Sequence, residues 1–175
     1  MNIAIINPIA ASPAITPSGM LMPRVPSIAG DMQRLKEVNI VELGRAIANR
    51  GHEVTLILGG PYLDGKEWDL GRGLRIVPVQ TVMRFPFHPG LLPMTPELMG
   101  HPALQQADVI QTGEFHQLPT FFACVAASDS GVPLVLWQET FRPMRFPGSL
   151  YQRIYGTTLG RRVLTTTERF IPRTT

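Results

Sequence analysis

At 175 residues, 44% of them hydrophobic and 17% charged, the chain has the apolar content of one globular domain with a buried core. Its most apolar window, residues 118–137, is interrupted by Asp129, Ser130, Gly131 and Pro133, so no stretch reads as a membrane span, and the amino terminus lacks the positive segment of a secretory leader. The formal charge of +3 is unevenly spread, with 9 Lys and Arg against 12 acids through Glu139 and 7 Arg against Glu168 alone beyond it; such a basic end suits an anionic substrate, acidic lipid head groups or the acidic face of another domain.

The first element is an apolar run over residues 3–6, closed by Asn7-Pro8, which suits a strand covered on both faces in a parallel sheet. A loop rich in Pro, Ser and Gly follows, and then a helical pattern over residues 34–50 that stops at Gly51. Ile40, Leu43, Gly44 and Ile47 form its apolar stripe, with Val41 and Ala48 flanking and Gly44 small enough for close approach to the sheet. Extended backward, the stripe turns polar at Lys36 and Glu37, in the first turn, at the edge where open parallel sheets bind ligands. Further strands are expected at residues 54–58, 74–79, 108–111, 134–137 and 162–166, with helices at 96–106, 119–128 and 149–159. Residues 80–102 hold five prolines and the apolar cluster Phe85, Phe87, Leu91, Leu92 and Met94, and read as an irregular loop. Strands alternating with helices predict an α/β fold: a Rossmann-like, doubly wound, mainly parallel sheet with helices on both faces, in one domain over residues 1–175.

Most standard chemistries lack their motif. No G-x-G-x-x-G follows the first strand, which argues against a nicotinamide cofactor, and there is neither a phosphate-binding P-loop nor a G-x-S-x-G elbow. His52, His88, His101 and His116 have no metal-ligand spacing, and the lone Cys124, among Phe121, Phe122 and Val125, reads as a buried small hydrophobe. No nucleic-acid-binding pattern is visible. What remains is a set of polar groups at expected carboxyl ends of strands: Asn7, Gln111 to His116 with Glu114 between, Gln138-Glu139-Thr140, and Thr165 to Glu168 with Thr167 between. Strand order is expected to reverse beside the first strand, setting Asn7 and the turn after Gln111 on two walls of one crevice. Carboxylates and amides gathered there suit a sugar or polyol, and Glu114 or Glu139 is placed to act as a general base toward an acceptor hydroxyl.

Four segments in order carry a resemblance. Met1-Asn2-Ile3-Ala4-Ile5-Ile6-Asn7-Pro8 resembles the first strand of the family 4 glycosyltransferases, the retaining enzymes of GT-B architecture. Residues 41–56, with the turn Arg50-Gly51-His52-Glu53-Val54, are similar to the family's helix, R-G-H-E-V turn and second strand. Ala107-Asp108-Val109-Ile110-Gln111-Thr112-Gly113-Glu114 resembles A-D-V-I-H-x-H-E, and the stretch from Gly131-Val132-Pro133 to Gln138-Glu139-Thr140 resembles G-V-P-x-V-x-x-x-H-D.

The resemblance implies the acceptor-side, amino-terminal half of a hexosyltransferase-like enzyme that uses a nucleotide-sugar donor, needs no metal or cofactor, and transfers with retention to a carbohydrate or lipid-linked acceptor. It implies a second domain holding the nucleotide sugar, beyond the present 175 residues, without which this half is expected to be inactive. The family's glycine pair before the first helix falls here at Arg34-Leu35, its later histidine at Gln138, and the histidines of its fourth-strand motif at Gln111 and Gly113. Arg34 would then supply charge to donor phosphates. Gln138 and Glu139 stand at the position implied for catalysis, and Asn7, Arg34, Lys36, Glu37, Glu114, His116, Thr167 and Glu168 are expected to line the substrate cleft. A cytoplasmic location is expected, with peripheral contact at the inner membrane face through the basic end and the Phe85 to Met94 cluster. Two rival readings are a non-catalytic binding module on the same scaffold and another nucleotide-sugar enzyme, such as an epimerase or hydrolase.

Overall fold

The computed structural model describes residues 1–7, 39–59, 65–80, 94–138 and 148–172. Its strands are β1 (Asn2–Ile6), β2 (Glu53–Gly59), β3 (Trp68–Asp69), β4 (Leu74–Val79), β5 (Val109–Gly113), β6 (Leu134–Gln138) and β7 (Thr167–Pro172). They form a seven-stranded sheet in the order β3-β4-β2-β1-β5-β6-β7. Every pairing is parallel except that of β3 with β4. The order reverses at β1, which pairs with β2 on one side and β5 on the other, as the sequence predicts. β2 is buried from Val54 to Gly59, the consequence of a run that is apolar apart from Thr55 and covered on both faces, with the Thr55 hydroxyl accepting from Nε of Arg75 at 2.8 Å.

Alternate residues of the central strands feed two cores. On one face, Ile5, Leu56, Leu58, Leu74 and Ile76 pack with Val41 and Ala48 of α1 (Asn39–Ala48). Gly44 is the contact point: a Cβ there would lie 3.0 Å from Leu74 Cδ1 and 3.1 Å from Leu56 Cδ2, so the glycine permits the close approach read from the sequence. The buried stripe runs through Val41, Gly44 and Ala48, and Leu43, expected in its middle, is only partly buried.

On the other face, Ala4, Ile6, Ile57 and Ile110 pack with Phe122, Ala123, Cys124, Ala126 and Ala127. This is the side of α2 (Pro102–Gln105) and α3 (Leu118–Ser130). α3 stops at Gly131, whose φ of 68° lets the chain turn left-handed and return to the sheet. Cys124 is fully buried, as its neighbours predict, and burial raises its thiol pKa. After α3 and β6 come α4 (Gly148–Thr157) and α5 (Leu159–Thr166), the latter adding Val163 to the same core.

Three expectations are corrected. Residues 162–166, read as a strand from Val163 and the threonines, belong to helix α5: Gly160 and Val163, three apart, face inward, and Thr165 turns its hydroxyl back to the carbonyl of Arg161 at 3.1 Å. The last strand begins at Thr167 instead. The single helix expected at 96–106 is two short pieces, a 3-10 turn (Pro96–Gly100) and α2, because Pro102 cannot continue a helix from the preceding turn. His101 caps the second piece, its Nδ1 accepting from the N–H of Ala103 at 3.2 Å. Finally, two-residue β3 makes seven strands where six are expected, being too short to leave a periodic signature.

Candidate functional site

At the switch point, register fixes which tips are neighbours. Ile6 lies opposite Thr112 and Gly113 opposite Trp137, so Asn7, Glu114 and Gln138 leave three adjacent strands side by side, on the order of 5 Å apart from one strand to the next. The backbone of Asn7 stays in the ladder by donating to the carbonyl of Ile57 at 3.0 Å.

Beyond β5 the chain turns sharply. Glu114 adopts φ 53°, a left-handed conformation that a side chain other than Gly, Asn or Asp seldom takes. Four hydrogen bonds hold it there. Its N–H donates to the carbonyl of Trp137 at 2.9 Å, and its carbonyl accepts from the N–H of Gln117 at 3.0 Å. Thr120, in the first turn of α3, directs its hydroxyl at the carbonyls of Gly113 (2.5 Å) and Glu114 (3.0 Å). The Thr120 oxygen also lies 3.2 Å from the Thr112 hydroxyl, and both threonines are buried. With the Thr120 proton directed at those carbonyls, Thr112 is the donor of that pair.

Gln138 completes the turn from the neighbouring strand. It is 3% exposed, its Oε1 accepts from the N–H of Phe115 at 2.8 Å, and its Nε2 donates to Oε2 of Glu114 at 2.7 Å. The carboxylate of Glu114, half-buried, is thereby oriented from one side by a buried amide.

An aromatic group backs the turn. The ring centroid of Phe115 is 4.7 Å from that of His116 and 5.6 Å from that of Tyr155 of α4, both edge-on. Tyr151 donates its hydroxyl to the carbonyl of His116 at 2.8 Å and Tyr155 to that of Gln117 at 3.3 Å. Burial pushes both phenols far above their ordinary range, keeping them protonated as these bonds require. Loss of hydration lowers the pKa of His116, so its imidazole is neutral near pH 7. Gly160 leaves room for this packing: a Cβ there would meet Phe115 Cζ at 2.7 Å.

A doubly wound parallel sheet with its polar rim at the β1/β5 switch point is the frame of a known enzyme class, and the glycosyl transferase 4-like domain matches residues 37–172, most of the chain. The chain belongs to the glycosyl transferase 4-like family. No curated protein matches it.

Within this glycosyltransferase domain, Asn7, Glu114 and Gln138 meet on one rim, with His116 in the turn just beyond. Thr167 and Glu168 do not join them. They open β7, where Thr167 lies opposite Leu134 at the start of β6, four residues and about 13 Å from the rim. The strand that was expected to end in these residues is a helix, which reverses the edge they occupy. Thr167 instead returns its hydroxyl to the carbonyl of Val163 at 2.7 Å. Arg34, Lys36, Glu37 and Glu139 lie outside the described residues.

Thr120, Tyr151 and Tyr155 escaped the sequence reading. The first-turn position of Thr120 was a usable signal, since a threonine there can satisfy carbonyls of the preceding turn. The tyrosines come from a helix more than 30 residues away in the chain and left no local signal. Among the described residues no helix is long and apolar enough to cross a membrane, and no cluster of three His, Cys, Asp or Glu is placed to hold a metal.

Proposed function

We propose that this domain is the acceptor-binding half of a transferase that moves a sugar from a nucleotide-sugar donor to an acceptor hydroxyl, with retention of anomeric configuration. The donor is held mainly by a second nucleotide-binding domain across the cleft. The observation that carries the proposal is the Glu114 carboxylate, held by buried Gln138 at the topological switch point, beside Asn7. A carboxylate so placed accepts a hydrogen bond from a sugar hydroxyl and orients it for transfer. In this reading Gln138 is a positioning residue, since its buried amide engages Phe115 and Glu114. His116, neutral, lines the acceptor side. In the same reading Arg34 is assigned to the donor phosphates, Lys36 and Glu37 to the cleft, and Glu139 to the reacting centre, from their places in the sequence.

Titration of the isotopically labelled chain with a panel of simple sugars and nucleotide sugars, followed by amide NMR shifts, tests this. Saturable shifts at residues 112–117 and at the Gln138 side-chain amide are expected with at least one sugar. Shifts confined to the opposite edge of the sheet, around Glu53 and Gly73, would sink the proposal.

A second reading has its own observation. With Gln138 turned to internal bonds and Gln111 and Gly113 on the fourth strand of the motif, the rim carries none of the histidines that the family resemblance leads one to expect. A sugar-binding module without transfer fits that pattern. Sugar-induced shifts at the rim, with no transfer when the donor-binding domain and donor are supplied, would select it.

A further inference from the structure

Helix α4 has two faces with different fates. Inward, Tyr151 and Tyr155 grip the turn that carries His116. Outward, Leu150 and Ile154, one helical turn apart, are 53% and 55% exposed, with Arg153 exposed between them. The pattern continues in α5, where Gly160 and Val163 face the core while Arg161, Arg162 and Leu164 are exposed. The edge strand β7 then exposes Arg169, Phe170 and Ile171. Among the described residues, all large exposed apolar side chains other than Met1 and Met99 therefore belong to this one segment. Against its four arginines stand Glu168 within the segment and Asp129 of α3, 3.8 Å from the guanidinium of Arg162.

Single exposed apolar residues are ordinary on a protein surface. A one-turn apolar pair interleaved with arginine, on a segment of net positive charge, is the pattern of a helix that lies in a lipid interface: leucine and isoleucine enter the acyl boundary while guanidinium groups meet anionic head groups. The charge selects the occupant, because a neutral or cationic partner gains nothing from Arg153, Arg161 and Arg169, which outnumber Glu168 on this surface. Phe85 to Leu92 lie outside the described residues, and Met94 is partly buried against the core.

We propose that the outer face of α4, extended by α5, docks on an anionic lipid surface. Because the inner face of the same helix is bonded to the His116 turn, docking would bring a membrane-borne acceptor to the rim; that last link rests on the function proposed above, whereas the docking itself does not.

Co-sedimentation of the 175-residue chain with vesicles of phosphatidylcholine, with and without phosphatidylglycerol, tests it. Binding is expected only to vesicles containing phosphatidylglycerol, and to fall as salt is raised. Arg153→Glu is expected to weaken it by about tenfold or more, while Arg72→Glu, on the opposite edge of the sheet, changes it much less. The double variant Leu150→Ser/Ile154→Ser, folded by circular dichroism because both positions are exposed, is expected to lose binding while its sugar-induced NMR shifts at Glu114 and Gln138 stay as in the parent. Equal binding to neutral vesicles, no binding to either, an unaffected double variant, or concentration-dependent self-association through this face without vesicle binding would each overturn the proposal.

Discussion

The side-chain amide of Gln138 ties the end of β6 to the turn after β5, accepting from the N–H of Phe115 at 2.8 Å and donating to the carboxylate of Glu114 at 2.7 Å, in a site where Gln138 itself is 3% exposed. Both bonds are part-buried, so water only partly replaces the amide if it is removed. Gln138→Ala is expected to destabilise the fold by about 1–3 kcal/mol, measurable by urea denaturation. Gln138→Glu sets a second carboxylate against Glu114, and one of the pair then has a raised folded pKa. A raised pKa contributes stability at low pH that is lost as pH rises, so this variant should recover towards the parent on going from neutral to mildly acidic pH. A variant insensitive to pH would show that the two side chains do not meet in solution.

Glu114 sits at φ 53°, held by bonds that mostly involve its backbone. Glu114→Gln keeps the backbone bonds and an oxygen for Gln138, so stability should stay within about 1 kcal/mol of the parent. Sugar-induced NMR shifts at the rim should nonetheless fall sharply, because the charge is gone. If both the stability and the sugar response are unchanged, the carboxylate has no part in binding.

Two glycines face different neighbours and should respond differently to alanine. At Gly160 the added methyl meets Phe115 Cζ at 2.7 Å and the backbone oxygen of Tyr155 at 3.0 Å, and the backbone cannot step aside. Gly160→Ala is expected to cost about 1–3 kcal/mol and to move the Phe115 ring signals in an NMR spectrum. At Gly44 the nearest atoms are the tips of Leu74 and Leu56 at 3.0–3.3 Å, which can rotate. There the gain in helix propensity, about 1 kcal/mol, offsets much of the crowding. Thermal denaturation of the two variants should rank Gly160→Ala clearly below Gly44→Ala.

Burial lowers the pKa of both His101 and His116. Above the ordinary imidazole value of about 6.5 the folded and unfolded states are both neutral there, and these groups leave stability independent of pH. As pH falls through that value the unfolded chain takes up protons first, so stability should decline until the folded pKa values are passed. Urea midpoints between pH 7.5 and 5 should show this decline, and His116→Gln should flatten part of it. Midpoints that rise on acidification would contradict the assignment.

How much of this was legible in the sequence depends on the range of the forces involved. The apolar runs of β1, β2, β4, β5 and β6 and the stop at Gly131 are local patterns, and with the alternation of strands and helices they sufficed for the doubly wound sheet and for the meeting of Asn7, Glu114 and Gln138 at one rim. Segment 162–166 misled because threonine and valine favour strands by propensity alone, whereas the burial of Val163 in the core with α3 and of Gly160 against Phe115 and Tyr155 decided for helix. That one reversal carried Thr167 and Glu168 to the wrong edge. Only the tertiary structure could set the Gln138 amide on Glu114 across 24 positions, or the tyrosines of α4 behind His116. Backbone periodicity is written into neighbouring residues, but the pairing of buried polar groups is selected by which strands and helices come to lie side by side.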